Sequence, residues 1–217
     1  MTSKNSWSPS CRAALIAGAL ALAACGNSAT PSAGVSGPSP VDSLPPPPPV
    51  AAPPVCTPTL GLMPTVIGPI PSDPAGSASR NYPWMATAVD LAANGYVEEE
   101  YFLCGYSTTQ AGDYTTRLIV RRPKDAQRFN GTVFAEWQNV SAGYELDILW
   151  SESYAHFMRA GYVYVGVSAQ RAGHYVEPYG LASWSPTRYS QLHWPGGANA
   201  AVFVVDPAGY DIYTQAL

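Results

Sequence analysis

The sequence predicts an α/β domain organised around one parallel βαβ unit, and three observations predict it. Residues 131–137 (GTVFAEW) form a β-branched and aromatic run introduced by the turn pair Asn130-Gly131. Between Tyr144 and Ala160 the apolar residues Ile148, Leu149, Tyr154, Ala155 and Met158 recur at helical spacings, and Gly161 stands where a helix stops. Residues 162–168 (YVYVGVS) are then apolar almost throughout, as in a strand covered on both faces within a parallel sheet. Two such strands joined by a helix make a right-handed crossover. Chemistry in parallel sheets gathers at the carboxyl ends of the strands, here residues 138–143 (QNVSAG) and 169–174.

The same residues carry a resemblance. FNGTVFAEWQNVSAG, followed by GYVYVGVSAQR and then by RYSQLHWPGG and YDIYTQAL, resembles a group of bacterial α/β-hydrolase-domain proteins over residues 96–217. The resemblance implies an α/β-hydrolase-like, mostly parallel sheet with antiparallel first strands. It implies hydrolysis of a small-molecule carboxylic ester by a Ser-His-acid triad, with no cofactor. It also implies that this chain is the N-terminal part of such a domain, truncated before the nucleophile elbow.

The elbow signature is G-x-S-x-G on a strand-to-helix turn, with the acid and then the histidine following in the chain. The nearest match is Gly166-Val167-Ser168-Ala169-Gln170, in which Gln170 replaces the second glycine and residues 171–174 read as loop. Ser168 is therefore not expected to be the nucleophile. The loop after the third strand of this fold supplies a backbone donor to the oxyanion hole. That loop is Asn139, Val140, Ser141, Ala142 and Gly143, whose small residues suit a backbone that approaches substrate closely, or equally one that only turns.

The N-terminus reads as an export signal. Lys4 and Arg12 precede an apolar core, residues 13–23, too short to span a bilayer. Leu22-Ala23-Ala24-Cys25 resembles a lipobox, so residues 1–24 are expected to be removed and Cys25 acylated. Several acyl chains give firm membrane attachment. Gly26 after the cysteine favours the outer membrane. Residues 25–59 form a tether rich in Pro, Ala and Ser, with five consecutive prolines at 45–49, a composition that stays extended. The folded part is expected over residues 60–217.

Of eleven Lys and Arg, Lys4 and Arg12 leave with the signal, so nine basic residues face fifteen acidic ones. No basic stripe exists, which argues against nucleic acid as a partner. Cys56 and Cys104 remain after processing; export permits a disulfide, and two unrelated thiols are the alternative. There is no CxxC pair or Cys/His cluster, so no metal site is expected.

Residues 61–74 carry four prolines and read as irregular or as an edge segment, and residues 85–95 as a short helix or turn. Residues 96–106 and 114–122 read as an antiparallel opening ribbon. The acidic run Glu98-Glu99-Glu100 is expected to face solvent, with Arg121 and Arg122 as surface partners of acidic neighbours. His174 to Trp194 is an aromatic loop region that either shapes a pocket or only connects. His156 is expected on a helix surface near Glu152, and none of His156, His174 and His193 is expected to be catalytic. Residues 211–217 read as the first turns of a helix capped by Asp211.

Strand 132–137 is expected to pair with 162–168 on one side and with a nucleophile strand beyond Leu217 on the other. The chain alone is then expected to be inactive and poorly stable. The alternative is a non-catalytic surface lipoprotein with a binding role.

Overall fold

The computed structural model describes residues 55, 56, 58, 63–198 and 206–217, all within one unit spanning Pro48–Leu217. The expected signal peptide, Cys25 and, apart from 55, 56 and 58, the expected tether lie outside the described residues, as does the apolar run 201–205.

The longest elements are two twelve-residue strands, β2 (Tyr96–Ser107) and β3 (Gly112–Pro123), joined as an antiparallel hairpin. A short β1 (Thr65–Ile67), from the proline-rich 61–74 segment, pairs with β2 at the outer edge. Next come β4 (Val133–Trp137), helix α1 (Ile148–Ala160) and β5 (Val163–Val167), with β4 and β5 parallel. The sheet order is β1-β2-β3-β5-β4. The described sheet is mixed: β4–β5 is its one parallel pair, and the strands before it are antiparallel.

Gly161 ends α1 in the left-handed region at φ 78, and a Cβ there would overlap the backbone oxygen of Arg128. Only glycine meets both conditions. α1 begins at Ile148 rather than Tyr144, because Leu146 is bridged to Asn139 and the carboxylates on either side of it are engaged in ion pairs.

The register sorts side chains into two faces. On one lie Glu98, Glu100 and Phe102 of β2, Arg117, Ile119 and Arg121 of β3, Tyr164 of β5 and Phe134 and Glu136 of β4. There α1 contributes Trp150, Phe157 and Met158, and Leu181, Tyr189 and Leu192 pack on Phe102. On the other face Leu103, Tyr114, Leu118 and Val167 meet Trp194 and Ala208 and Ile212 of the last helix, α4 (Pro207–Gln215).

Several further expectations change. Residues 171–175 are a one-turn helix, α2 (Arg171–Tyr175), not a loop, and a second short helix, α3 (Leu181–Trp184), follows it. Five residues hold no periodicity to read; the turn forms because Ala172, Gly173 and His174 are packed inside. The last helix starts at Pro207, with proline in its first turn where no N–H is missed. Asp211 does not cap it. Its carboxylate accepts from Ser107, Thr108 and Thr109, tying α4 to the β2–β3 turn. Glu100 is buried rather than solvated, and Arg121 is buried rather than on the surface, although its partners are acidic as expected. Arg122, on the opposite face, pairs with Glu99 near solvent.

Candidate functional site

The loop after β4 is held at its neck. Gln138 donates its N–H to Val167 O (3.0 Å), which ties it to the end of β5. Its side-chain nitrogen donates to the Tyr164 hydroxyl (3.0 Å), which donates to Glu136 (2.6 Å). A Cβ at position 166 would collide with that Gln138 amide, so Gly166 keeps the space open. Asn139 and Leu146 exchange backbone hydrogen bonds of 3.2 and 2.8 Å. Inside the neck, Ser141 N–H donates to Asn139 Oδ1 (2.9 Å) and Gly143 N–H to Val140 O (2.9 Å). Gly143 sits at φ 85, a value costly for any other residue. The Val140 side chain is buried, whereas Ser141 and Ala142 are exposed. Among the described residues, the N–H groups of Val140 and Ala142 have no hydrogen-bond partner, unlike those of Asn139, Ser141 and Gly143.

Two arginines grip the returning arm. Arg117 donates through Nε to Glu100, through Nη1 to Glu145 (2.7 Å) and through Nη2 to Trp84 O (2.8 Å). Arg121 repeats the pattern four residues on: Nε to Glu98 (2.7 Å), Nη1 to Asp147 and Nη2 to Met85 O (3.4 Å). Glu100 also takes Arg188 Nε (2.6 Å) and the Tyr189 hydroxyl (2.8 Å). Burial pushes the Glu145 carboxyl above the usual carboxylate range; Arg117 and Ser168 oppose that shift without cancelling it. This buried network is the part that sequence reading missed. A signal was present. Glu98 and Glu100 share one face of β2, as Arg117 and Arg121 share one face of β3, and hairpin strands bring such rows together.

Ser168 lies inside this network, 1% exposed, and its hydroxyl donates to Glu145 Oε2 (2.8 Å). The carbonyl oxygen of Ser168 accepts from the Thr116 hydroxyl, whose oxygen also lies 2.9 Å from His174 Nε2. A hydroxyl has one proton, so His174 must donate from Nε2, leaving Nδ1 bare; Nδ1 is buried without a partner. Burial, with the charge of Arg117 acting in the same direction, lowers the His174 pKa to about 3. His156 is exposed on α1 against Tyr162, and His193 is half-exposed near Asp113 (3.7 Å). Among the described residues no histidine hydrogen-bonds a serine hydroxyl, so no catalytic Ser-His pair is assembled.

Cys56 and Cys104 are joined as a disulfide with Cα atoms 6.0 Å apart, pinning the backbone at Cys56 to β2. The aromatic segment after α2 lines an open cleft of about 600 Å³ formed by Tyr175, Glu177, Ala182, Ser183, Pro186 and Ala198, none of them in the 139–143 loop. Among the described residues no group of acidic, His and Cys side chains could hold a metal ion, and no helix is long and apolar enough to cross a membrane.

A mixed sheet whose parallel strands end at a loop with free backbone donors has the layout of an α/β hydrolase. The chain belongs to that family: the α/β hydrolase domain model matches residues 66–217. No curated protein and no solved structure matches the chain.

Proposed function

We propose that this chain forms the oxyanion side of a carboxylic-ester hydrolase site and hangs from the cell envelope, on the outer membrane, by an acylated Cys25. The observation that carries the reading is the pair of unpartnered amides, Val140 and Ala142, at the carboxyl end of β4. When a serine attacks an ester, the carbonyl oxygen gains negative charge. Donors placed 2.7–3.1 Å from that oxygen lower the barrier, each by roughly 3–4 kcal/mol.

The serine, acid and histidine of the reaction are not among these 217 residues in this reading. What supports it is that Ser168 is sealed and gives its proton to a carboxylate, while His174 is a buried donor to Thr116. The 217-residue chain by itself then hydrolyses no ester.

The test is hydrolysis of 4-nitrophenyl acetate by the purified chain and by a fusion that continues it through a related G-x-S-x-G segment. The chain should show no turnover, and the fusion should show turnover that falls about 100-fold or more when Ala142 is replaced by Trp. Turnover of the unfused chain that Ser168→Ala abolishes would make Ser168 the nucleophile and overturn the reading. Mass spectrometry of the membrane fraction should find an acylated N-terminal Cys25; a soluble form beginning elsewhere would remove the anchor.

A further inference from the structure

We propose that Glu145 and Asp147 are positioning residues, through which Arg117 and Arg121 hold the amides of Val140 and Ala142 in line with the end of β5. The proposal rests on the ester-hydrolase reading for its purpose, but not for its geometry.

The connection can be followed bond by bond. Both arginines project from the same face of β3 at the centre of the sheet, where β2 and β5 flank them. Each uses Nη1 for one carboxylate of the loop's return arm. Between those two carboxylates stands Leu146, whose N–H and C=O are both bonded to Asn139. Asn139 in turn accepts the Ser141 N–H on its side chain. The frame Arg117/Arg121, Glu145/Asp147, Leu146, Asn139, Ser141 therefore brackets the two free amides without touching them. Planar guanidinium groups held at all three donor positions tolerate little displacement of their acceptors.

Two details fit positioning better than plain stabilisation. Asp147 stands at the N-cap of α1 yet makes no capping bond; its carboxylate goes to Arg121 instead. A capping bond would have favoured the helix alone. Ser168 donates its hydroxyl to Glu145 from the end of β5, so the loop is referenced to both parallel strands. The groups facing Glu145 are Arg117, Ser168 and, more remotely, Glu100; Asp147 faces Arg121, which also holds Glu98, and interacts with the Tyr164 hydroxyl.

The experiment is site-resolved amide exchange on the 217-residue chain, comparing wild type, Glu145→Gln, Asp147→Asn and Ser168→Ala. The reporters are the hydrogen-bonded amides of Asn139, Gly143 and Leu146, with Leu103 and Ile119 in the central strands as controls. Glu145→Gln and Asp147→Asn should each speed exchange at the reporters at least tenfold and leave the controls within twofold. Ser168→Ala, which removes a support without changing charge, should give the same pattern more weakly and covers the case in which a charge variant fails to fold. Equal acceleration at reporters and controls would mean that the carboxylates only stabilise the fold, and it would overturn the proposal. No acceleration at the reporters would overturn it as well. In the active fusion, Asp147→Asn should lower kcat with KM unchanged. A loosened loop in a fusion without esterase activity would retire the ester reading while the clamp stands.

Discussion

Arg117 and Arg121 occupy the same face of the same strand and hold their partners in the same three-pronged way, yet they differ in access to water. The carboxylates on Arg117 are sealed, and Glu100 is shared with the equally buried Arg188 and Tyr189. Those on Arg121 keep contact with solvent: the Glu98 side chain is 12% and the Asp147 side chain 15% exposed. Arg121 also lies over two rings, 4.7 Å from the Trp150 centroid and 5.3 Å from that of Tyr164. A buried charge that loses its partner has nowhere to turn, whereas one near the surface can be rehydrated. The geometry of an ion pair therefore says less about its cost of removal than the surroundings of the partner left behind.

The largest effect should come from Arg117→Met. It strands Glu145 in the interior and should cost ~3–5 kcal/mol, a large share of the ~5–15 kcal/mol that holds a whole domain together. Urea unfolding followed by circular dichroism measures it. Adding Glu145→Gln to that variant should restore part of the loss, because the stranded charge is then gone. A double variant weaker than the single one would contradict this.

Arg121→Met should cost less, ~1.5–3 kcal/mol, the scale of hydrogen bonds to charged groups. Water can reach Glu98 and Asp147, and the methionine side chain still covers Trp150. Equal losses at the two arginines, measured side by side, would remove the distinction drawn between them.

Arg117 also acts across the sheet, on His174. Because the folded His174 pKa is lowered from 6.5 to about 3, the unfolded state binds the extra proton over that range. Its contribution is present above pH 6.5 and is lost as pH falls toward 3, at about 1.4 kcal/mol per pH unit. His174→Gln should flatten the fall in stability between pH 6.5 and pH 5 relative to wild type. Parallel pH profiles would show that the buried ring is not titrating as described.

The smallest effect belongs to Arg122→Ala. This arginine faces the other side of β3, its side chain is 38% exposed, and its bond to Glu99 is screened by solvent. The expected change is within about 1 kcal/mol, and high salt should shrink it further.

Much of the fold can be read locally. The run 131–137, the spacing from Ile148 to Met158, Gly161 and the unbroken apolar 162–168 each bear on backbone geometry or on sidedness within a few residues. The βαβ unit and the antiparallel ribbon before it follow from those windows, and so does the place of the 139–143 loop at a strand end. Which of its amides stay unpaired was not legible. That depends on Asn139 closing against Leu146 and on a turn between Val140 and Gly143.

Which charges are buried, and with which partners, was decided by the tertiary structure. In the sequence Glu98, Glu99 and Glu100 form one acidic run, yet Glu99 pairs with Arg122 near solvent while Glu100 is enclosed by Arg117, Arg188 and Tyr189. Arg188 comes from a loop 88 residues away in the chain, and Glu145 from the far side of β4. The five residues of α2 are likewise helical because Ala172, Gly173 and His174 are packed against the rest. Propensity and periodicity act over one or two turns of chain. The free energy of burying a charge is settled by whatever partners the finished fold brings within about 3 Å of it.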